Sequence, residues 1–474
     1  MIAEKIRKIA RPKNTILLPT KKDNIYMVVE RIGCKYDNGR RLPKNGKVIG
    51  HIIDEVYVPK NEEPKKLSER SVSIIRYGSV AFADKMGKGL LNSLNKVYDP
   101  NDALNIYNIA LMRASFGDIK DYQIEERYHK SYASVLYPKR AVSKNSISNL
   151  LKLLGSDFAG IQTFMKNRIN ELVTDKTKIL IDGMLKNNTS SVNSFAGFSY
   201  KGRIKGTTDI SLICAFDAER KEPICIKVYK GNLPDFVNCA DFFDEFSLPN
   251  GIVISDKGFP LDKLRDRSSC SRIAFLNPIR RSSKVIKQLK LNENMEYVPG
   301  GEKHILGKKT KGDNGLFYYS FLDINREAKE KYDYVNGKKD KFDSAKFEKK
   351  KDKFGTVTFV SNLDLTLKEI YDYYALRWQI ELVFKMYKSI LSLNTTREHD
   401  NESVIGSEFI NFLSVIMTCR MKNRLDELGF FEDDTYTNII ERLSNIIKTS
   451  TDEKEWKLCT LNSKEKELIE KLEI

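Results

Sequence analysis

The chain has 474 residues, of which 41% are hydrophobic, enough for about two to four compact domains with their own cores. Lys and Arg number 81 against 64 Asp and Glu, which gives a net charge of +17 and a pI near 9.2. So basic a chain favours a polyanion partner, through Coulomb attraction and counterion release from phosphates. A soluble protein that is basic without such a partner is the alternative. The seven scattered cysteines, none spaced as CxxC, exclude a disulfide framework and a zinc site.

Neither a signal peptide nor a membrane span is evident in the sequence. The N-terminal stretch MIAEKIRKIARPKNT is charged throughout and lacks an apolar signal core. The longest strongly apolar run, FINFLSVIM from Phe409, is shorter than the ~20 residues that cross a bilayer. We therefore expect a cytoplasmic protein with no membrane partner.

The first third of the chain contains two different sequence patterns, one typical of strands and one typical of helices. Residues 1–95 are predicted to be β-rich, because IYMVVERIG and VIGHII alternate like strands around the turn signals DNG and KNG. Residues 96–175 have helical periodicity, with Ser143 as a candidate N-cap. Several short helices in a basic chain suit a DNA-binding region, although a plain helical domain fits the pattern equally well.

Residues 176–280 alternate between strands and helices. Three strands come first, then a helix and two further strands with a short helix between them: KILIDGML, ISLICAFDAE, PICIKVYKGN, DFVNCADFFDEF, GIVISDKGF, LDKLRDR and RIAFLNPI. This order predicts an α/β fold with a mixed sheet covered by helices.

The remainder begins with a Lys-rich segment, residues 281–355, which holds strand-like pieces such as GLFYYSFLD. The charged run that starts at Arg326 is predicted to be a solvated excursion. Residues 356–395 add the strand TVTFVSN and a long helix, and residues 396–474 are predicted to form amphipathic helices.

That long helix, YYALRWQIELVFKMYKSIL from Tyr373, has a narrow polar stripe. At 100° per residue, Tyr374, Arg377, Glu381 and Lys388 fall within about 60° of one another, opposite an apolar face. An ordinary amphipathic helix is the simplest interpretation. It would carry Arg377–Glu381 and Glu381–Lys385 ion pairs, each worth ~0.3–0.5 kcal/mol.

Two aspartates favour a different interpretation. Asp182 ends the apolar run KILI and Asp256 ends the apolar run GIVIS. If the two strands are neighbours, both carboxylates emerge at one edge of the sheet, where a packed helix can add Glu381. Isolated buried carboxylates are costly, and a pair of Mg²⁺ ions ~4 Å apart would relieve their repulsion and catalyse phosphodiester chemistry. Arg377 and Lys388 would then bind phosphates of the substrate backbone. Tyr374 would donate a hydrogen bond to the same backbone.

The spacing Tyr374-x2-Arg377-x3-Glu381-x6-Lys388 resembles the Tyr-Arg-Glu-Lys signature of one branch of bacterial insertion-sequence transposases of the DDE type. Asp182 and Asp256 resemble that family's first and second aspartates. The segment KVYKGNLPDF is similar to the family's third-strand ending, a Gly-Asn followed by an acid. The resemblance covers roughly Lys178 to Leu393. The full signature is fairly specific, whereas each aspartate alone is a weak signal.

The resemblance implies an RNase H-like catalytic core interrupted by a mostly β insertion, with an N-terminal β-hairpin and helical region and a C-terminal helical tail. It implies two Mg²⁺ ions per site, with Mn²⁺ able to substitute, held by Asp182, Asp256 and Glu381. Tyr374, Arg377 and Lys388 would contact DNA near the cut. The implied reaction is cleavage at the terminal inverted repeats and joining of the 3′-hydroxyl to target DNA. A homodimer on paired ends, acting at the bacterial nucleoid, is implied as well.

One feature departs from the family. Relatives that cut through a DNA hairpin stack a flipped base on an aromatic residue, often Trp, of the insertion. Here Trp378 and Trp456 both lie outside the insertion, which leaves Phe317, Tyr318 or Tyr319 as substitutes.

Two other functions remain open. The chain can be a catalytically inactive, transposase-derived DNA-binding protein, or a stand-alone RNase H-like nuclease that cuts without strand transfer. A tyrosine recombinase is disfavoured, because no Arg…HxxR…Tyr constellation is evident among only four His.

Overall fold

In the computed structural model, the residues described are 2–20, 24–37, 40–60, 72–190, 192–198, 207–246, 248, 251–259, 261–264, 273–299, 304–337 and 342–474. They form two compact units. The first comprises Met1–Ser73 with Ser450–Trp456, and the second Ile74–Thr449 with Lys457–Ile474. The sixfold domain division drawn from the sequence stays a prediction.

The first unit is a small antiparallel sheet with one short helix. Its elements are α1 (Glu4–Arg7), β1 (Thr15–Pro19), β2 (Ile25–Asp37), β3 (Arg40–Ile53) and β4 (Val56–Pro59), with the strands in sequential order. Ile6, Val28 and Ile52 form its core. The strands predicted for IYMVVERIG and VIGHII are confirmed.

The prediction of a turn at KNG is wrong, because Lys44–Gly46 lies inside β3, the strand that pairs with β2. A Cβ at Gly46 would come within 2.7 Å of the Ile32 side chain, so this glycine allows close strand packing and does not make a turn. The DNG turn falls at Asn38–Gly39, outside the residues described.

The second unit opens with a layer of helices that follows one short strand. They are β5 (Ser73–Arg76), α2 (Gly78–Leu94), α3 (Pro100–Phe116), α4 (Asp121–His129), α5 (Ala133–Leu136), α6 (Lys144–Ser156) and α7 (Phe158–Leu172). Ser143 caps α6 as predicted, and Asp99 caps α3 with Pro100 in the first turn. Helix α2 lies in the segment predicted to be β-rich, because its buried small residues pack against α3, not in a sheet.

A large mixed sheet follows, with its connecting helices. The elements are β6 (Lys178–Asn188), β7 (Thr208–Asp217), β8 (Glu222–Lys230), α8 (Asp235–Phe246), β9 (Ile252–Ser255), α9 (Leu261–Leu264), β10 (Ala274–Ile279), α10 (Lys284–Gln288), β11 (Glu296–Tyr297), β12 (Ile305–Lys311), β13 (Phe317–Asp323), α11 (Ile324–Asn336), α12 (Ser344–Glu348) and β14 (Thr356–Ser361).

The strand order in this sheet is β11-β12-β13-β14-β10-β9-β6-β7-β8. Strands β6, β9 and β10 run parallel, whereas β7, β8 and β14 pair antiparallel with their neighbours. The predicted mixed α/β sheet is confirmed. The insertion is not mostly β, because its charged run folds into α11 and α12, and part of that run, residues 338–341, lies outside the description.

The chain ends in helices that cover the sheet. After β14 come α13 (Leu367–Leu376), α14 (Trp378–Lys385), a π-turn (Met386–Ile390), β15 (Thr395–Thr396), α15 (Asn401–Glu427), α16 (Tyr436–Asn445), β16 (Ile447–Ser450), β17 (Lys457–Leu458) and α17 (Ser463–Leu472). By length and composition α15 could cross a membrane, but 89% of its apolar window is buried inside the protein. It packs on α2, α3, α6 and β8 as a central core helix.

A buried ion-pair triad joins three of these layers. The Glu222 carboxylate on β8 accepts from Arg168 of α7 at 2.7 Å and from Arg420 of α15 at 2.7 Å. Burial alone would raise the pKa of the Glu222 carboxyl, but the two guanidinium groups hold that pKa below its usual value. The triad is therefore ionised at neutral pH.

We expect Glu222→Gln to lower the free energy of unfolding at pH 7 by about 3 kcal/mol, because it leaves two guanidinium groups short of a counter-charge in the core. Urea denaturation measures the change. The neighbouring Lys221→Gln is the control, since Lys221 meets Asp426 at 3.5 Å with both side chains 47% exposed. That exposed pair should contribute less than ~1 kcal/mol. Equal effects of the two substitutions would contradict the assignment.

Candidate active site

Asp182 and Asp256 lie side by side at one edge of the sheet. Strands β6 and β9 run parallel, and their last paired residues are Ile181 and Ser255. Each aspartate directly follows one of those residues on strands that are ~4.8 Å apart. The two strands are therefore neighbours, which is the condition on which the expected cluster of carboxylates depends.

The Asp182 carboxylate is poorly compensated. It accepts a hydrogen bond from the Gly183 backbone N–H at 2.8 Å. Burial, with a further contribution from the charges of Asp256 and Glu381, raises the pKa of Asp182 to about 7, against the opposing effects of the Gly183 hydrogen bond and the Arg377 charge. The site concentrates negative charge where water is partly excluded.

A tight turn fixes the backbone at Asp256. The Asp256 carbonyl accepts from the Phe259 N–H at 2.9 Å, and the Ser255 hydroxyl donates to the Phe259 carbonyl at 3.2 Å. The Asn277 amide also donates to the Asp256 carbonyl, at 3.4 Å. The Asp256 side chain remains 39% exposed, so it faces the open edge of the sheet.

The signature helix is not continuous, which corrects the single helix predicted. Helix α13 begins with a capping box between Thr366 and Glu369 and ends at Leu376. Arg377 keeps right-handed helical angles but stands as a turn residue before α14, and the helix then widens into the π-turn. Such π-turns interrupt helices most often at functional sites.

Arg377 points into the acidic edge. Its Nη1 atom lies 3.6 Å from an Asp256 carboxylate oxygen, and its side chain is only 16% exposed. The guanidinium carbon stands 5.8 Å from the Tyr374 ring centre and 5.3 Å from that of Trp378. Tyr374 itself packs on Phe359 with ring centres 4.5 Å apart.

Glu381 lies exposed on α14, and α14 packs against β6. The ordinary amphipathic helix would pair Glu381 with Arg377 or Lys385. Within the described part of the chain no ion pair of Glu381 is found, and Arg377 turns to Asp256 instead. The ion pairs expected for an ordinary amphipathic helix are therefore not observed at Glu381 among the described residues.

Lys388, on the π-turn, acts on an acid that the sequence did not single out. Burial raises the pKa of Asp209, while the Asn187 hydrogen bond and the Lys388 charge lower it. Asp209 is 6% exposed within β7, and one of its carboxylate oxygens has no hydrogen-bond partner. Asp209 lies opposite Asn187 where β7 pairs with β6.

A buried polar network holds the π-turn in place. Glu408 of α15 accepts from Lys186 of β6 and from the Tyr387 hydroxyl, and Thr396 donates to it at 3.3 Å. Lys186 and Glu408 are 2% and 1% exposed. Sequence reasoning missed this network, although a lone Lys in a buried strand and a lone Glu in an apolar helix were the available signals.

The Gly-Asn ending of the third strand has a steric cause. A Cβ at Gly231 would lie 2.0 Å from the Asp209 carbonyl oxygen, so no side chain fits there. The close approach brings the end of β8 against the start of β7.

The carboxylate donors suit Mg²⁺ or Mn²⁺, which prefer oxygen ligands. The half-neutralised Asp182 and its neighbour Asp256 fit such an ion, because a divalent cation would supply the missing counter-charge. Among the residues described, no three His, Cys, Asp or Glu side chains are already gathered as a metal site. Glu381 remains exposed on α14 in this arrangement.

The aromatic residues proposed for the insertion do not all qualify as base-stacking surfaces. Tyr318 and Tyr319 are 7% and 0% exposed within β13, so both belong to the core. Phe317 is half-buried under Lys309 and Lys311. Trp378, next to Arg377, is 64% exposed, so its ring is more accessible than those of the three insertion residues.

A model of the family described as "Transposase DDE domain" matches residues 173–410, half of the chain. This segment contains both aspartates, the signature helix and the insertion. The chain belongs to the transposase DDE domain family, and the resemblance to insertion-sequence DDE transposases found in the sequence is confirmed.

One similar curated protein is the transposase for insertion sequence element IS231E of Bacillus thuringiensis subsp. finitimus. It is 31% identical over an alignment of 182 residues, which covers 33% of this chain and 37% of the relative. The match therefore spans about a third of that relative's length. A solved structure of the piggyBac transposase synaptic complex with hairpin DNA aligns at a TM-score of 0.43 and 12% identity. That alignment covers 78% of this chain and 79% of the other.

We expect Asp182→Asn to stabilise the metal-free protein at pH 8 by about 2–4 kcal/mol, because it removes a desolvated charge. The folded-state pKa, about 7, exceeds the usual 3.8, so the penalty is complete above pH 7 and vanishes as pH falls toward 4. Chemical denaturation across this pH range measures it. Asp256→Asn, at a more exposed carboxylate, should stabilise less. A pH-independent gain for Asp182→Asn would contradict the electrostatic cause.

Proposed function

We propose that this protein is a DNA transposase that cuts the ends of its mobile element and joins the freed 3′-hydroxyl to target DNA. The observation that carries the proposal is the placement of Asp182 and Asp256 at one sheet edge, with Arg377 against them and Glu381 on the adjoining helix. Membership of the transposase DDE domain family and the net charge of +17 support it.

Asp182, Asp256 and Glu381 would hold the divalent ions, two Mg²⁺ or Mn²⁺ per site. When bound, these ions activate the attacking hydroxyl and stabilise the leaving oxygen of a phosphodiester. Asp182 contributes a carboxylate that lacks a full counter-charge, and Asp256 contributes an exposed one from a rigid turn. Glu381 reaches the pair from α14 by a side-chain rotation.

The cationic and aromatic groups position the DNA. Arg377 offers a planar guanidinium that would bind a phosphate by two hydrogen bonds. Lys388 would contact the next part of the backbone, and the Tyr374 hydroxyl would donate to a phosphate. The exposed Trp378 ring offers a stacking surface for an unpaired base beside the cut.

The catalytic core is proposed to be RNase H-like. In support, three consecutive antiparallel strands (β6, β7, β8) are followed by β9 and β10, both parallel to β6 on its other side. The insertion between Asp256 and Glu381 extends the same sheet through β14, β13, β12 and β11.

Partners and setting belong to the same proposal. The terminal inverted repeats and target DNA are the proposed ligands, and a homodimer on paired ends is the proposed assembly. Residues 96–175 are the candidate end-reading region. The protein would act at the nucleoid in a bacterial cytoplasm.

Glu381→Gln should abolish Mg²⁺-dependent cleavage, lowering the rate by at least about 10³-fold, because a neutral amide is a poor metal ligand. The substrate is a supercoiled plasmid that carries the DNA flanking this chain's own reading frame. Binding of the same DNA should be unchanged. Lys385→Gln, exposed on the same helix, is the matched control and should retain cleavage. Full activity of Glu381→Gln would eliminate Glu381 as a ligand.

Strand transfer separates transposition from simple hydrolysis. Wild-type protein given a pre-cut end with a free 3′-hydroxyl should join it to a target plasmid with Mg²⁺ and fail with EDTA. Cleavage without joining would favour the stand-alone nuclease. DNA binding with neither reaction would favour the inactive DNA-binding protein.

A further inference from the structure

The insertion contains a large open groove of about 1170 Å³ between the segment after β10 and the segment before β14. Its floor includes Ile286, Leu322 and Phe354, and its rim carries six cations: Arg281, Lys284, Lys287, Lys290, Lys349 and Lys353. We call this the lysine groove.

The walls of the lysine groove are ordered by specific contacts. Arg281 donates two hydrogen bonds to Glu330 of α11, at 2.7 and 3.0 Å, and one to the Thr356 carbonyl. An aromatic cluster of Tyr334, Phe347 and Phe354 packs α11 against the segment that bears Lys349 and Lys353. The charged run predicted as a solvated excursion therefore forms one wall of a groove.

The positive charge of the groove is largely uncompensated. The five rim lysines make no ion pair within the described residues, whereas two of the four lining acids are paired, Glu327 with Lys331 and Glu348 with Lys351. Glu293 and Asp352 supply the remaining negative charge. Lysines that face one another across a cavity repel, and a polyanion would relieve that repulsion.

The groove begins directly after the strand that neighbours β9. Strand β10 runs parallel to β9, with Leu276 level with Ile254, which puts Pro278 level with Asp256. Strand β10 ends at Ile279, and the groove residue Arg281 lies in the turn that follows it. A DNA strand that runs from the aspartates across the end of β10 would enter the groove.

We propose that the lysine groove binds the phosphate backbone of the DNA held at the candidate active site, which rests on the proposed function. Its volume of about 1170 Å³ and the lysines contributed by two separate segments favour a chain of phosphates over one small anion. The contacts carry no base readout, so they add affinity and orientation and not sequence preference.

The test uses the full chain and a duplex of about 40 base pairs with no chosen sequence. Lys284→Gln/Lys287→Gln/Lys290→Gln should reduce the slope of log K against log salt by about 2–3, close to 0.9 per lost phosphate contact. Lys349→Gln/Lys353→Gln should reduce it by about 1–2 from the other wall. Near 0.15 M salt, the triple variant should bind at least about tenfold more weakly.

The matched control is Lys464→Gln/Lys466→Gln/Lys471→Gln, which removes three charges from α17 on the C-terminal helical side. It should leave the slope within about half a unit. Unchanged melting temperatures verify that each variant is folded. A wild-type slope in both groove variants, or an equal loss in the α17 control, would overturn the groove assignment. Failure of the wild type itself to bind DNA would overturn the proposed function.

Discussion

The main physical constraint on the second unit is the negative charge of two neighbouring aspartates at one edge of its large sheet. Asp182 lies within β6 and Asp256 directly follows β9, each next to the last pair of the parallel β6–β9 ladder, so the two carboxylates are neighbours. Desolvation and mutual repulsion keep Asp182 half-protonated near neutrality, and the only nearby guanidinium among the described residues, Arg377, lies 3.6 Å from Asp256. An edge built only for stability would place apolar or neutral residues there, since a buried uncompensated charge costs free energy.

Rigid neighbours keep this edge in place. The Arg168–Glu222–Arg420 triad and the Lys186–Glu408–Tyr387 network both connect the sheet to α15. One connects β8 to α15, and the other connects β6 and the π-turn to the same helix. The side chains of Glu222 and Glu408, the acids at the centre of these two groups, are 6% and 1% exposed, so their protein partners and not water fix their geometry. The strand bearing Asp182 and the turn bearing Lys388 thereby share one support.

Much of this arrangement could be predicted from the sequence. The strands of the sheet are short apolar runs bounded by turns, and each aspartate stands at the end of such a run, so strand identity followed from local pattern. Their adjacency did not, because no local signal says that β9 pairs with β6 and not with β8. The break at Arg377 and the π-turn were also missed, since a helical wheel assumes constant pitch. The buried ion pair of Lys186 and Glu408 could not be predicted for another reason. A charged residue in an apolar run indicates burial only when its partner, which is distant in sequence, is known.

The position of Arg377 shows why side-chain pairing decides between the two interpretations of the signature helix. At four residues apart, Arg377 and Glu381 are suitably spaced for an intrahelical ion pair worth a few tenths of a kcal/mol. Arg377 instead faces Asp256, where lower exposure strengthens the attraction, and Glu381 has no ion pair with any residue that the structure describes. The local ion pair between Arg377 and Glu381 is therefore replaced by a tertiary ion pair between Arg377 and Asp256. Within the described residues no interaction of Glu381 adds to the stability of the fold, whereas the Arg377–Asp256 contact places a cation against the acidic edge of the sheet.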